Sequence, residues 1–159
     1  MIGYTDSDWA GSIDDRKSTF GYVFHMGPRA ISWASKKHPI MALSIEEAEY
    51  VATTTTTCQV VSMRRMLRIL CHEQVKGTTV YCDISLAIAL SKNSVFHKRT
   101  KHIDAKYHYI RELVRNGEIV LNHCKTEEKF GDILTKPLGQ KSFNYLRKCL
   151  GMQDSINCD

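Results

Sequence analysis

Two carboxylic acids stand close together near the start of the chain, within the stretch GYTDSDWAGS. Asp6 and Asp8 are separated by a single residue, and the two-residue period of a β-strand would place both side chains on one face. A carboxylate in a segment that otherwise looks like part of a core is costly unless hydrogen bonds or opposite charges compensate it. We therefore predict that a positive charge or hydrogen-bond donors compensate these acids.

Further acids stand where other predicted elements begin or end. Glu49 lies in the first turns of a predicted helix, Asp83 ends a predicted strand, and Asp132 opens the last helical region. Strand ends and helix starts on one side of a parallel sheet meet at a common crevice, so these acids can converge with Asp6. Converging carboxylates suit Mg²⁺, which prefers oxygen ligands, and a pair of such ions can catalyse phosphoryl transfer. Taken singly, each acid could equally be a surface or capping residue.

The opening elements are three strands followed by a long helix. The first strand ends at the turn Trp9–Gly11, and a Gly-Pro turn joins the second and third strands. Ser44 and Glu47 form a predicted capping box, which starts a helix that extends roughly to Leu70. The β-branched run 53–57 is poor helix material, but the cap and the amphipathic tail on either side of it favour the helix.

The later segments alternate between strand and helix. They are, in order, the strand TTVYCD, the helices SLAIALSK and AKYHYIRELVRNG, the strand EIVLNHCK, and the helices EEKFGDIL (with Thr126 as a possible cap) and KSFNYLRKCLG. Strands 1, 4 and 5 alternate with helices, so we expect them to be parallel, with the opening meander extending one side of the sheet.

Composition restricts the class of protein. With 159 residues, 43% of them hydrophobic, the chain has the size and composition of one soluble globular domain. It has no apolar run of about 18 residues and no leader pattern, so we predict an intracellular protein with no membrane span. The six cysteines are scattered without a C-x-x-C pair, which favours reduced thiols over a zinc site or a disulfide framework. A net charge of +5 is compatible with a polyanionic partner.

The stretch FHKRTKHIDAKYH interleaves positive charges with histidine and aromatic side chains. One interpretation is a solvated helix start with a charged face. The other is a surface that binds phosphates and stacks on bases.

The sequence resembles the ribonuclease H domain of copia-type LTR retrotransposon polyproteins, particularly those of plants. The resemblance covers about residues 3–152 and rests on blocks in this order: GYTDSDWAGSIDDRKST, GYVF, AISWASKK, EAEYVA, YCD, AIALSKN, VFHKRTKHID, YIREL, GEI and DILTKPL. It implies a ribonuclease H-like α/β fold with a mixed five-stranded sheet, in a single domain of residues 1–152 with a tail of 153–159.

The resemblance also implies an activity and its partners. The family is a metal-dependent endonuclease that hydrolyses the RNA strand of RNA–DNA hybrids during reverse transcription of the element. A reverse transcriptase domain would precede this one in the parent polyprotein. The expected location is the cytoplasm, within virus-like particles, or the nucleus, with no membrane association.

The resemblance assigns the metal ligands by their positions in its motifs: Asp6, Glu49, Asp83 and Asp132. They would hold two Mg²⁺ ions, with Mn²⁺ as a substitute. The resemblance prefers Asp6 over Asp8, while Glu47 stays open as an alternative to Glu49, although the proposed capping role of Glu47 favours Glu49. His123 is a candidate for assisting product release or proton movement, and equally a simple strand-end residue.

Contacts to the hybrid are expected from backbone amides, polar groups and basic side chains near the acids. The candidates are Gly11, Lys36, Lys37, Ser44, Lys98, Arg99, Lys101 and Lys106. The chain departs from the family pattern at Ile84, where the family usually has Asn, and at Gly131, where it usually has Ala. These departures keep an alternative open, namely a weakened or inactive module that still binds hybrid. A related polynucleotidyl transferase is disfavoured by the copia-type blocks.

Overall fold

The computed structural model describes residues 1–12, 14, 16–39, 41–82, 101–125 and 129–152, without the side chains of 101–107. Its strands are β1 (Ile2–Ser7), β2 (Thr19–Met26), β3 (Arg29–Lys37), β4 (Thr78–Cys82) and β5 (Ile119–His123). Its helices are α1 (Ile45–Ile69), α2 (Lys101–Arg115) and α3 (Gln140–Cys149), with a 3₁₀ turn at Asp132–Leu134. No helix in these ranges is long and apolar enough to cross a membrane.

The strands form one sheet in the order β3-β2-β1-β4-β5. β1 pairs antiparallel with β2 and parallel with β4, and β4 pairs parallel with β5. The predicted fold class, with parallel strands 1, 4 and 5 and an antiparallel meander at one side, is confirmed. Because β1 is the middle strand, its C-terminal end lies between the meander and the parallel half of the sheet.

The start of α1 is fixed by side-chain caps. The Ser44 hydroxyl accepts a hydrogen bond from the Glu47 amide at 3.1 Å. Glu47 in turn accepts from the amide of Leu43 at 2.7 Å, one residue before the position that a standard capping box uses. The predicted cap and the helix that follows it are therefore present, and α1 ends within a residue of the predicted end.

The threonine run lies in the middle of α1 and stays helical. The hydroxyls of Thr54, Thr55, Thr56 and Thr57 donate to the carbonyls four residues earlier at 2.8–2.9 Å. This back-bonding satisfies hydroxyls that would otherwise be costly to bury. The Thr56 hydroxyl also lies 3.0 Å from the hydroxyl of Thr5. The polar run therefore attaches α1 to β1 directly beside Asp6.

The two faces of β1 and β2 have different neighbours. Toward α1 and α2 lies the main apolar core, which includes Phe20, Tyr22, Phe24, Tyr50, Val60, Ile110 and Leu113. The other face, which carries Asp6 on β1 and Gly21 on β2, packs against the segment 129–136. Asp6 is thus buried by this segment and lies outside the apolar core.

Two predicted helix boundaries need correction. α2 begins at Lys101, before the predicted start at Ala105, so the helix includes part of the basic stretch. Of the predicted helix EEKFGDIL, the described residues form only the 3₁₀ turn. Gly131, just before the turn, disfavours a helix, and Pro137 prevents the turn from continuing as one. The predicted helix SLAIALSK, the Thr126 cap and the tail 153–159 lie outside the described residues.

Candidate active site

Asp6 is buried at the end of the central strand, with only 6% of its surface exposed. Its Oδ2 atom accepts a hydrogen bond of 2.6 Å from the Thr135 hydroxyl. The Lys136 ammonium lies 3.9 Å from the same oxygen. The compensation that the sequence required for this carboxylate therefore includes a hydroxyl and a cation from the segment that precedes α3.

Asp132 shares the Lys136 ammonium with Asp6. The Nζ atom of Lys136 lies 3.0 Å from Asp132 Oδ1, at a spacing of four residues. Burial and the nearby negative charge of Asp6 raise the pKa of Asp132, and the hydrogen bond from Lys136 only partly opposes this. Burial alone would lower the pKa of Lys136, but Asp6, Asp132 and Glu49 together raise it. The site therefore has a strong preference for positive charge.

Besides the Thr135 and Lys136 contacts to Asp6, the segment 129–136 is held on the sheet by aromatic packing and by a hydrogen bond from β3. The Phe130 ring packs edge-on against Tyr4, with ring centroids 4.5 Å apart, and stacks on His25 at 5.6 Å. The Ser35 hydroxyl donates to the Leu134 carbonyl at 2.6 Å. These contacts on either side of Asp132 fix its position relative to β1.

Two glycines allow this segment to approach the sheet closely. A Cβ atom on Gly131 would lie 2.7 Å from Asp6 Cβ, and one on Gly21 would lie 2.6 Å from Leu134 Cβ. Gly21 is also the residue that pairs with Asp6 between β1 and β2. Any side chain at either position would push the turn, and Asp132 with it, away from Asp6.

Glu49 and Glu47 have different surroundings, which separates the two candidates that the sequence left open. Glu49 is buried, with 6% of its surface exposed, and its Oε1 accepts a hydrogen bond of 3.2 Å from the amide of Ser7. Ser7 is the last residue of β1 and follows Asp6 directly. Glu47 instead caps α1. The structure thus brings Glu49 to the end of β1 and leaves Glu47 in the cap.

Asp8 lies just beyond β1 and has a structural environment. Its carboxylate accepts a hydrogen bond from the Thr19 amide, and its own amide donates to the Thr19 carbonyl at 3.0 Å. These two bonds join the two ends of the β1–β2 connection. Gly11 lies against the Asp8 side chain in that connection.

The remaining predicted residues lie on the two outer strands of the sheet, near the start of α1, on α2, or outside the described ranges. His123 is exposed at the end of β5 and pairs with Cys82, the last residue of β4. Lys36 and Lys37 are exposed on β3, and Ser44 is the α1 cap. Asp83, Lys98 and Arg99 are outside the described residues, while Lys101 and Lys106 lie on α2 without described side chains.

The chemistry of the site fits a hard divalent cation. In the described part of the chain no three His, Cys, Asp or Glu side chains are grouped closely enough to hold a metal ion. However, Asp6 and Asp132 both contact one cation, the Lys136 ammonium. Both side chains supply the oxygen atoms that Mg²⁺ prefers. Sequence reasoning did not single out Thr135 or Lys136, and the available signal was the four-residue spacing of Asp132 and Lys136 in DILTKPL.

Solved structures define the class of the fold. The LC11 ribonuclease H1 in complex with an RNA/DNA hybrid superimposes with a TM-score of 0.57 at 16% identity, covering 84% of this chain and 92% of that one. The foamy viral protease-reverse transcriptase in complex with an RNA/DNA hybrid gives a TM-score of 0.60 at 17% identity, covering 90% of this chain and 20% of that one. The chain has the ribonuclease H fold.

The sequence relatives are Pol polyproteins of plant transposons. The retrovirus-related Pol polyprotein from transposon TNT 1-94 of Nicotiana tabacum is 45% identical over 155 residues, which are 98% of this chain and 12% of that protein. The corresponding polyprotein from transposon RE2 of Arabidopsis thaliana is 40% identical over 149 residues, 93% of this chain and 10% of that protein. No protein-family model matches. The chain is a homologue of plant transposon Pol polyproteins, as the resemblance implied, and it spans about a tenth of the length of these curated relatives.

Proposed function

We propose that this chain is a metal-dependent endonuclease that hydrolyses the RNA strand of RNA–DNA hybrids. The observation that carries the proposal is the buried Asp6 on the central strand of a ribonuclease H fold, with Asp132 placed to share a cation with it. Two carboxylates this close together are unfavourable for folding, because their charges repel and burial removes water from them. Such an arrangement is typical of a site that binds cations for a function.

The proposed ligands come from separate parts of the chain. Asp6, Glu49 and Asp132, together with Asp83 directly after β4 in the sequence, would hold two Mg²⁺ ions, for which Mn²⁺ could substitute. When bound, such ions supply an activated water and stabilise the leaving oxygen. Thr135 holds one oxygen of Asp6, and the Ser7 amide holds one oxygen of Glu49, so both carboxylates are oriented before a ligand arrives.

Hybrid binding would use surfaces outside the acids. Recognition of the RNA strand requires contacts to 2′-hydroxyl groups across a wide minor groove, which amides near Gly11 and polar groups near Ser44 could supply. Lys36, Lys37 and the basic stretch 97–106 would bind phosphates. Because the relatives are about ten times longer, we propose that a reverse transcriptase domain in the parent polyprotein delivers the hybrid.

The test is cleavage of an end-labelled RNA–DNA hybrid in Mg²⁺ or Mn²⁺, beside single-stranded RNA, duplex RNA and duplex DNA. We expect cutting of the RNA strand of the hybrid alone, and loss of cutting in Asp6→Asn and Asp83→Asn. Glu49→Gln and Glu47→Gln form a matched pair on one helix turn. The first should abolish cleavage, and the second should lower only the stability of the protein.

The outcomes separate the candidate functions. Binding of hybrid by folded protein without any cleavage would contradict the enzymatic proposal and indicate the alternative, an inactive hybrid-binding module. Cleavage of duplex DNA would indicate a polynucleotidyl transferase. Equal loss in both glutamate variants would contradict the assignment of Glu49.

A further inference from the structure

Lys136 enters the carboxylate cluster from the solvent side. Its ammonium lies 3.0 Å from Asp132 Oδ1 and 3.9 Å from Asp6 Oδ2. The Lys136 side chain is 42% exposed, whereas those of Asp132 and Asp6 are only 18% and 9% exposed. The ammonium therefore contacts one buried and one half-buried acid, while the lysine side chain as a whole remains partly accessible to water.

We propose that Lys136 is a resident counter-ion of this site, which a divalent metal must displace in order to bind. The proposal rests on the proposed function, since it assumes that Asp6 and Asp132 are metal ligands. An ammonium 3.0 Å from one of these acids takes up ligand positions that the metal would need, and its positive charge repels a second cation there. Lysine has a flexible stem and a solvent route, so its charged end can leave without moving the backbone.

This role has two opposite consequences for the protein. Without metal, Lys136 offsets the repulsion between Asp6 and Asp132 and so stabilises the fold. With metal, the same positive charge competes for the carboxylates and so weakens metal binding. A plain surface ion pair would contribute little stability and would not affect metal affinity.

The first experiment measures Mn²⁺ binding by electron paramagnetic resonance titration, and the melting temperature in EDTA, for wild type and three variants. In Lys136→Met we expect Mn²⁺ binding at least about tenfold tighter, which is about 1.4 kcal/mol, and a lower melting temperature in EDTA. Lys136→Arg keeps the charge and should resemble wild type in both. Lys141→Met removes an exposed lysine of α3 and should change neither measurement.

The second experiment uses wild-type protein only, so it does not depend on a variant that folds. Acylation of lysine amines, read by mass spectrometry, should be severalfold faster at Lys136 in Mn²⁺ than in EDTA, while the rate at Lys141 stays constant. Faster labelling would mean that the ammonium has left the carboxylates. An unchanged or slower rate in protein that binds Mn²⁺ would overturn the inference.

The two hypotheses fail in different ways. Unchanged or weaker Mn²⁺ affinity in folded Lys136→Met, while wild type binds Mn²⁺ and cleaves hybrid, would overturn the counter-ion role alone. Absence of Mn²⁺ binding by wild type would overturn the proposed function, and the competition would fall with it.

Discussion

Substitution of Gly131 by alanine would test whether the turn that carries Asp132 touches the central strand. The backbone of Gly131 has φ −67° and ψ −29°, which any residue adopts, so the effect of a methyl group would be steric only. The new Cβ would lie 2.7 Å from Asp6 Cβ and 2.8 Å from the Asp6 nitrogen. Carbon atoms in favourable contact are about 3.5–4.0 Å apart. A displacement of about 1 Å is therefore required.

We expect the turn rather than β1 to supply this displacement, because Asp6 lies in the central strand and pairs with Gly21 of β2. Overpacking of this kind costs about 1–3 kcal/mol. For a domain of this size, each kcal/mol lowers the melting temperature by about 2–4 °C, so we expect a loss of about 2–12 °C. A misplacement of about 1 Å at the acids is expected to reduce hybrid cleavage by about 100-fold.

The assay is calorimetric melting in EDTA together with hybrid cleavage at saturating Mg²⁺. Gly139→Ala is the control, because among the described residues nothing beyond its chain neighbours lies within 4 Å of the added Cβ. Gly139 is the N-cap of α3, so this control should cost less than about 1 kcal/mol. The copia-type pattern usually has alanine at position 131, and by itself this pattern would predict that Gly131→Ala leaves stability and activity unchanged. A Gly131→Ala protein as stable and as active as wild type would refute the close contact.

The remaining predictions concern the partners of the site and the basic stretch. Thr135→Val removes the hydroxyl that donates to Asp6. A hydrogen bond to a charged group contributes about 1.5–3 kcal/mol, and urea unfolding should show a loss of this size in the free energy of unfolding. Thr135→Ser keeps a hydroxyl and should retain most of the stability. The pKa of Asp132 is raised above its ordinary value of 3.8. Protonation of Asp132 therefore stabilises the folded protein below pH 3.8, and this stabilisation is lost as the pH rises through the pKa that Asp132 has in the folded state. Asp132→Asn carries no charge at any pH and so avoids this loss. In EDTA, its melting temperature should exceed that of wild type by more at pH 7 than at pH 4. An equal difference at both pH values would contradict a raised pKa of Asp132. Lys98→Ala combined with Lys101→Ala should weaken hybrid binding and flatten its salt dependence, whereas an unchanged salt slope would argue for a plain solvated helix face.

The sequence determined the features that depend on residues close together in the chain. The alternating strands and the Ser44 cap of α1 have local signatures and lie where they were predicted, and the glycine at the end of AKYHYIRELVRNG is another local signal. Gly117, for example, has φ +71° and is followed by a hydrogen bond from the Glu118 amide to the Leu113 carbonyl, which closes the helix end. The parallel arrangement of strands 1, 4 and 5 also followed from the alternation of elements.

Only the tertiary structure decided which acids and bases meet. The bond between Thr135 and Asp6 joins residues 129 positions apart, and no local pattern encodes such a distance. Asp6 and Asp8 look equivalent in the sequence, yet the strand ends between them, so one is buried beside Lys136 and the other closes a turn. Helix propensity disfavoured the threonine run, but back-bonding and contact with β1 compensate its cost. Local energies of this kind are small, and long-range packing therefore determines the geometry of the site.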